Sequence, residues 1–527
     1  MKHDESRGST WQATDLPRRQ ALRRLTAAGA VVALGKWASP LAAAADTPRV
    51  GGRIRVASVA SSLVDTLDPA KGALSTDYAR QYMVYSGLTQ FDSRLGAQPG
   101  LAEQITSDDA TLWTVKLRSG VEFHDGKPLT PADVVYSLLR HKDPAVASQA
   151  FTIAQQFADV RASGPDQIQI RLTAANLDLP VILADAHFLI IKDGTTDFRT
   201  AVGTGPYRCV DFNPGVRTVG RRNPNYWKPG RPYLEEIELI GIGDESSRVD
   251  ALLAGDVQLV NGVNPRSVRR IRASGDCRVH ETPSGLYTDL VMRQDMIPTG
   301  NPDFVLAMKY LLDREEILRA VFLGHAVLAN DQPVPPSSRY FNPQIPQRVH
   351  DPDRARFHLR RADLPSGARL AMYASPAAEL SVEIAALIQD SASRVGLDLA
   401  VDRVPPDGYW SNQWRKHPLT FGNVNPRPTV DMLFSTFFKS DSPFNECGWK
   451  NARFDQLLLA ARSERDDEKR KQMYWEMQAI VHDQCGLAIP AFNSILDGLD
   501  RRLKGYGSIP IGGLMGYNFA EYVWLDT

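Results

Sequence analysis

Two hydrophobic periods alternate along this chain. Trp113, Val115 and Leu117 share one face of a period-two run whose other face carries Thr114, Lys116 and Arg118, the pattern of a half-buried strand. Ile168, Ile170 and Leu172 repeat it after a Gly164-Pro165-Asp166 turn, and Arg53 to Ala57 gives an earlier strand. Helical spacing appears after Thr130, a candidate N-cap followed by Pro131 at the first helical position and Asp133 at the positive end. Val134, Val135, Leu138 and Leu139 form its apolar stripe. Further helices are predicted from Ser247 to Ala254, from Asn301-Pro302 onward, from Ala377 to Val395 and from Asp466 to Gln484. Gly255 and Gly396 stop two of them and lead into strands at Val257 to Val260 and Leu397 to Val404. Helix–Gly–strand units in both halves predict mixed α/β lobes.

Composition narrows the class. Apolar residues are 43% and charged residues 23% of 527, an ordinary globular balance that calls for several domains. Basic and acidic residues number 61 each, so no global field draws the protein to nucleic acid or to an anionic membrane.

The first 45 residues differ. Arg18-Arg19 and Arg23-Arg24 precede the uncharged run Leu25 to Gly35 and then the small residues up to Ala45, which is the layout of an export signal. Eleven apolar residues fall short of the ~20 that span a bilayer. The arginine pair resembles a twin-arginine signal, although Ala21 stands where a bulky residue is usual. Cleavage near Ala45 would remove seven basic and three acidic side chains, leaving 54 against 58 and a net charge of −4. A soluble periplasmic protein is expected. Four cysteines (Cys209, Cys277, Cys447, Cys485) allow three full pairings in an oxidising compartment, and four buried thiols serve equally well.

Catalytic motifs fail on spacing. Gly120 to Gly126-Lys127 has five intervening residues instead of four, and Pro128 replaces the magnesium-binding Ser or Thr. Gly203-Thr204-Gly205 starts like a dinucleotide fingerprint but lacks the third glycine. The ten histidines are scattered, without metal-ligand pairs. No enzyme, metal or cofactor is expected.

The same phrases fit together in another way. Trp113 to Thr130, with Val121-Glu122-Phe123-His124-Asp125-Gly126-Lys127-Pro128-Leu129-Thr130 at its end, resembles the signature of the bacterial extracellular solute-binding proteins of family 5. Gly203-Thr204-Gly205-Pro206-Tyr207, Arg222 to Trp227, Leu252 to Val257, Leu312-Asp313-Arg314-Glu315 with Gly324-His325-Ala326, and Asn451 to Asp455 follow in the family's order. The resemblance implies a two-lobed α/β periplasmic-binding-protein fold of type II, in the large peptide-binding class. Lobe I would take residues 46–283 and 491–527, with an inserted subdomain at about 86–198, and lobe II would take 284–490. Chain crossings near Pro283 and Pro490 would be the hinge. The implied function is capture of peptides or peptide-like solutes by a monomer, with delivery to the transmembrane subunits of an ABC permease and their ATPase subunits. Competing expectations are a non-peptide ligand (an oligosaccharide, an opine or a metal complex) and, behind them, a secreted hydrolase.

For the ligand the resemblance points to Val64-Asp65-Thr66 on lobe I and to Tyr409 through Asp431 on lobe II. The second stretch is Pro-rich and strand-poor, and carries Tyr409, Trp410, Trp414, Asn425, Arg427 and Asp431. An Asp in this part of the family pairs with the ligand's amino terminus. Two readings stand here: Asp431 takes that role, or the amine clamp is missing and Arg427 meets a carboxylate. Tyr226-Trp227 and Trp113 read as core.

Overall fold

The computed structural model describes residues 47–365 and 367–526, so the leader and its cleavage site lie outside the described residues. From Pro48 onward the chain is one compact unit built on a twelve-stranded sheet. One half of this sheet runs through Tyr207–Asn213, Arg217–Arg222, Glu236–Gly241, Arg53–Ser58 and Leu259–Val260. Next come two long neighbours, Ala491–Asp500 and Cys277–Met292, and then Leu419–Val424, Arg369–Ala374 and Asp398–Arg403. The long pair is antiparallel from Cys277 opposite Asp500 to Tyr287 opposite Phe492, with a register shift between Pro283 and Leu286. Proline has no N–H for the ladder, so the irregularity falls where the backbone already lacks a donor.

A separate four-stranded antiparallel sheet joins Ala102–Ser107, Leu112–Leu117, Gln167–Leu172 and Phe157–Ala162. The alternation around Trp113 is its central strand, and Trp113, Val115, Leu117, Ile168 and Ile170 are buried in one core. Helix Pro131–Leu139 covers that core, and Asp133 at its start accepts from the Thr130 N–H and hydroxyl at 2.7 Å each.

The signature phrases carry packing. Carbon on Gly203 would come within 2.0 Å of the Val84 carbonyl oxygen, and carbon on Gly205 within 2.4 Å of the Val84 carbonyl carbon. Only glycine lets this segment seat on the end of helix Ser75–Val84, where the Gly205 N–H donates to Val84 at 2.8 Å. His124 brackets both glycines. Its Nε2 lies 3.0 Å from the Gly205 carbonyl, and its Nδ1 accepts from the Gly203 N–H at 3.3 Å. Burial pushes this imidazole down to about 4, so it stays neutral. The Leu312-Asp313-Arg314 phrase ends one helix, Pro302–Leu311, and caps the next, Arg314–Ala320. Arg314 then reaches the fully buried Asp331, which Arg348 and the Ile489 N–H also satisfy.

Two elements differ from expectation. The helix expected from Ala377 begins at Ser381, because Leu380 is left-handed (φ 61°) and the Ser381 hydroxyl ties back to the Ser375 carbonyl at 2.7 Å. Leu419–Val424 is a strand inside the stretch read as strand-poor. It is central and buried on both faces, so no apolar–polar alternation marks it.

All four cysteines are free thiols, and Cys447 and Cys485 lie with Sγ atoms 3.2 Å apart, both fully buried. Refolding in an oxidising glutathione buffer should join this pair and leave Cys209 and Cys277 reduced. Peptide mapping that finds four alkylatable thiols would contradict the pairing. Gly205→Ala should cost about 1–3 kcal/mol through the forced backbone shift. Urea titration is the check, and an unchanged midpoint would refute the close-packing account.

Candidate functional site

In sheets with parallel strands, ligands bind beyond the carboxyl ends. Arg53–Ser58 is parallel to Glu236–Gly241 and Leu259–Val260 in one half, and Arg369–Ala374 is parallel to Leu419–Val424 and Asp398–Arg403 in the other. The loops that leave these ends therefore define the candidate site. In the first half they are held rigidly. Arg248 donates to the carbonyls of Asn261 at 2.9 Å and Gly262 at 2.8 Å, and Asn261 accepts from the Val59 N–H at 3.0 Å.

The Val64-Asp65-Thr66 loop divides its labour. Asp65 is buried, and its carboxylate is used up by Arg80 (2.8 Å), the Ser61 hydroxyl (2.5 Å) and the Ser62 N–H (2.9 Å). Thr66 donates its N–H to Asp77 at 3.0 Å, while its hydroxyl accepts from the Asp68 N–H. Both residues build the loop. Val64 is 81% exposed at its tip, beside Leu63.

In the other half, Tyr409 is fully buried and repairs a strand. Its hydroxyl donates to the Phe421 carbonyl at 2.7 Å and accepts from the Phe421 N–H at 3.0 Å. Trp410 and Trp414 form an edge-to-face pair 5.6 Å apart, with Trp410 exposed and Trp414 half-buried under the Arg415 guanidinium. Asp431 lies in the first turn of helix Val430–Phe437 and pairs with Arg462 at 3.1 Å. Desolvation raises its carboxyl to about 6 despite that partner.

Arg427 is different. It follows the strand Leu419–Val424 in the loop that starts at the exposed Asn425. Its Nη1 donates to the carbonyls of Asn425 (3.1 Å) and Pro426 (3.3 Å), and its guanidinium lies over Phe437. Among the described residues it makes no ion pair within 4.0 Å. Burial lowers its proton affinity, while Asp185, Tyr287 and Tyr78 act in the other direction. Asp185 and Tyr78 belong to the far side of the site. There Asp185 pairs with His187 at 2.6 Å, and Tyr78 packs against His187 and Tyr517 with ring centroids 5.6 and 5.3 Å away.

Arg427 thus lies within electrostatic reach of Tyr78 and Asp185. Glu379 lies exposed in the loop after Arg369–Ala374. Sequence reasoning missed Tyr78, Asp185, His187, Glu379 and Tyr517. They come from four separate segments, and no local motif links them.

A second acidic feature lies in the core behind the strand Leu419–Val424. Asp289 and Glu446 are both buried and meet over Gly422, where a side-chain carbon would lie 2.6–2.7 Å from their oxygens. The two carboxyls are each other's hydrogen-bond partners, and the Thr420 hydroxyl oxygen and the Tyr287 hydroxyl beside them find none. Desolvation raises Asp289 to about 7 and Glu446 well above its usual range, so the pair holds a proton near neutrality.

The family model for bacterial extracellular solute-binding proteins, family 5 (middle region), matches residues 96–446. The glutathione-binding protein GsiB of Escherichia coli (strain K12) is 25% identical over 468 residues, covering 85% of this chain and 91% of that protein. Heme-binding protein A of Haemophilus influenzae is 27% identical over 490 residues, covering 84% and 88%. The ABC transporter-associated periplasmic binding protein DppA from Helicobacter pylori, solved with the peptide STSA, superposes with a TM-score of 0.77 at 22% identity. That superposition covers 91% of this chain and 99% of DppA.

The acid pair generates a pH prediction. A carboxyl whose folded pKa is raised contributes its stability below the unfolded value near 4 and loses it as pH climbs through about 7. Asp289→Asn should therefore flatten the fall in melting temperature between pH 5 and 8. Parallel melting curves for variant and parent across that range would rule out the shared proton.

Proposed function

We infer, because the chain belongs to the bacterial extracellular solute-binding proteins of family 5, that it captures a small peptide or peptide-like solute by its free carboxylate and hands it to the permease of an ABC importer. The supporting observation is Arg427, a half-buried guanidinium with no carboxylate partner among the described residues. Arginine does not lose its proton in proteins, so this charge stays available to an anion from outside. A planar guanidinium matches a carboxylate in two parallel hydrogen bonds, and such charge-assisted bonds are about twice as strong as neutral ones. Glutathione and the peptide STSA, ligands named for two similar proteins, both carry carboxylates.

In the mechanical part of this reading, residues 46–283 with 491–527 are one lobe and 284–490 the other, with the insertion at about 86–198 and hinges near Pro283 and Pro490. The paired strands Cys277–Met292 and Ala491–Asp500 connect the lobes, and their register shift at Pro283 is the place where dihedral change is cheapest. Solute that touches both walls favours the closed arrangement by its differential affinity. Arg427 comes from one lobe, and Tyr78, Asp185, His187 and Tyr517 come from the other, so a solute between them bridges the crevice. No bond of the solute is altered. The protein works as a periplasmic monomer after the leader is removed near Ala45, and its partners are the permease's transmembrane and ATPase subunits.

A thermal-shift panel of di- to hexapeptides, glutathione and their carboxyl-amidated forms tests the assignment. Free-acid members should raise the melting temperature by mass action, and the amidated forms should not. Arg427→Gln should weaken binding of the best member by roughly 10–100-fold, the loss of a charge-assisted pair. Equal affinity of the variant and parent, measured by calorimetry, would contradict the role given to Arg427.

A further inference from the structure

In the proposed two-lobed scheme the insertion touches the second lobe through side chains other than those assigned to the solute. Its corner Leu177-Asp178 precedes helix Leu179–Ile182 and meets helices Ala452–Ser463 and Asp467–Gln484. The Leu177 N–H donates to the Arg462 carbonyl at 3.1 Å. Arg470 donates to Asp178 at 2.8 Å, and both side chains are more than nine-tenths buried. Arg470 also donates to the Ala461 carbonyl at 2.9 Å and to the Tyr340 hydroxyl at 3.3 Å, so its position is fixed within the second lobe. Beside it, Arg462 holds Asp431, and Met432 packs into the hydrophobic core of the insertion. At the surface, Arg465 donates to the Asp108 carbonyl of the insertion.

A buried ion pair shared by two bodies behaves asymmetrically. When the bodies separate, Asp178 and Arg470 each return to water. When they meet, removal of one partner strands the other charge in the interior, which is costly. Loss of Asp178 therefore penalises the closed arrangement and leaves the open one untouched. We propose that Asp178 and Arg470 are positioning residues that latch the insertion onto the second lobe and set solute affinity from outside the solute site. The proposal rests on the two-lobed closure described above. Apparent affinity scales with the fraction of molecules able to close, so a latch changes binding of every solute by one common factor. It leaves the preference among solutes unchanged.

The experiment combines small-angle scattering and calorimetry on the full mature chain with reduced glutathione and a tetrapeptide as probes. For Asp178→Asn we expect a larger radius of gyration than the parent without solute, and roughly tenfold weaker binding of each probe that the parent binds. The ratio between probes should stay constant, whereas a defect in the solute site would alter it. Arg465→Gln removes only the surface arm and should act in the same direction by a smaller factor, which covers the case of poor folding in the first variant. Asp178→Asn with Arg470→Gln should be no worse than Asp178→Asn alone. A parent that compacts on binding, with both variants compacting and binding equally well, overturns the latch and leaves closure intact. A parent that binds without any compaction overturns closure itself, and the latch with it.

Discussion

A half-buried guanidinium without a carboxylate beside it among the described residues is the constraint on which this reading turns. Several buried arginines are matched by carboxylates: Arg80 by Asp65 and Asp77, Arg140 by Asp68, Arg314 and Arg348 by Asp331, Arg470 by Asp178; Arg248 is held by backbone carbonyls alone. Arg427 has only carbonyl oxygens of its own loop and the face of Phe437. A cation so placed is costly unless an anion arrives, because desolvation disfavours its charge. The rest of the architecture decides where the anion enters. Asp185, within electrostatic reach of Arg427, is already paired with His187 beside the Tyr78 ring.

In the proposed scheme closure and recognition use different side chains. The solute site draws on the loops after the parallel strands, and the contact between Asp178 and Arg470 lies on helices and shares none of its side chains. Such separation lets solute preference and overall affinity be tuned independently. The Asp431–Arg462 pair belongs with the contact and is tied to it through Met432 and the Leu177 N–H.

Much of the fold was legible in the chain. The strands around Trp113 and Ile170 and the helix after Thr130 follow their hydrophobic periods, because each covers a core on one side only. The strand Leu419–Val424 escaped detection because both of its faces are buried. The helix start at Ser381 escaped because a left-handed Leu380 and a serine tie, neither visible as periodicity, hold the preceding turn. The site was harder to see. Arg427 stood out as a departure from a family pattern, while Tyr78, Asp185, His187 and Tyr517 are ordinary residues until the fold gathers them. Tyr409 shows the converse. It stands in a stretch of memorable aromatics, yet its hydroxyl serves the backbone of Phe421.

In this reading the solute's carboxylate completes Arg427. A crystal structure of the protein purified gently with its natural solute, or soaked with the tightest peptide found, is the test. We predict a carboxylate within hydrogen-bond distance of both terminal nitrogens of Arg427, enclosed between that loop and the wall of Tyr78 and Tyr517. A solute bound elsewhere, or one bound there with its carboxylate facing water, would contradict the claim.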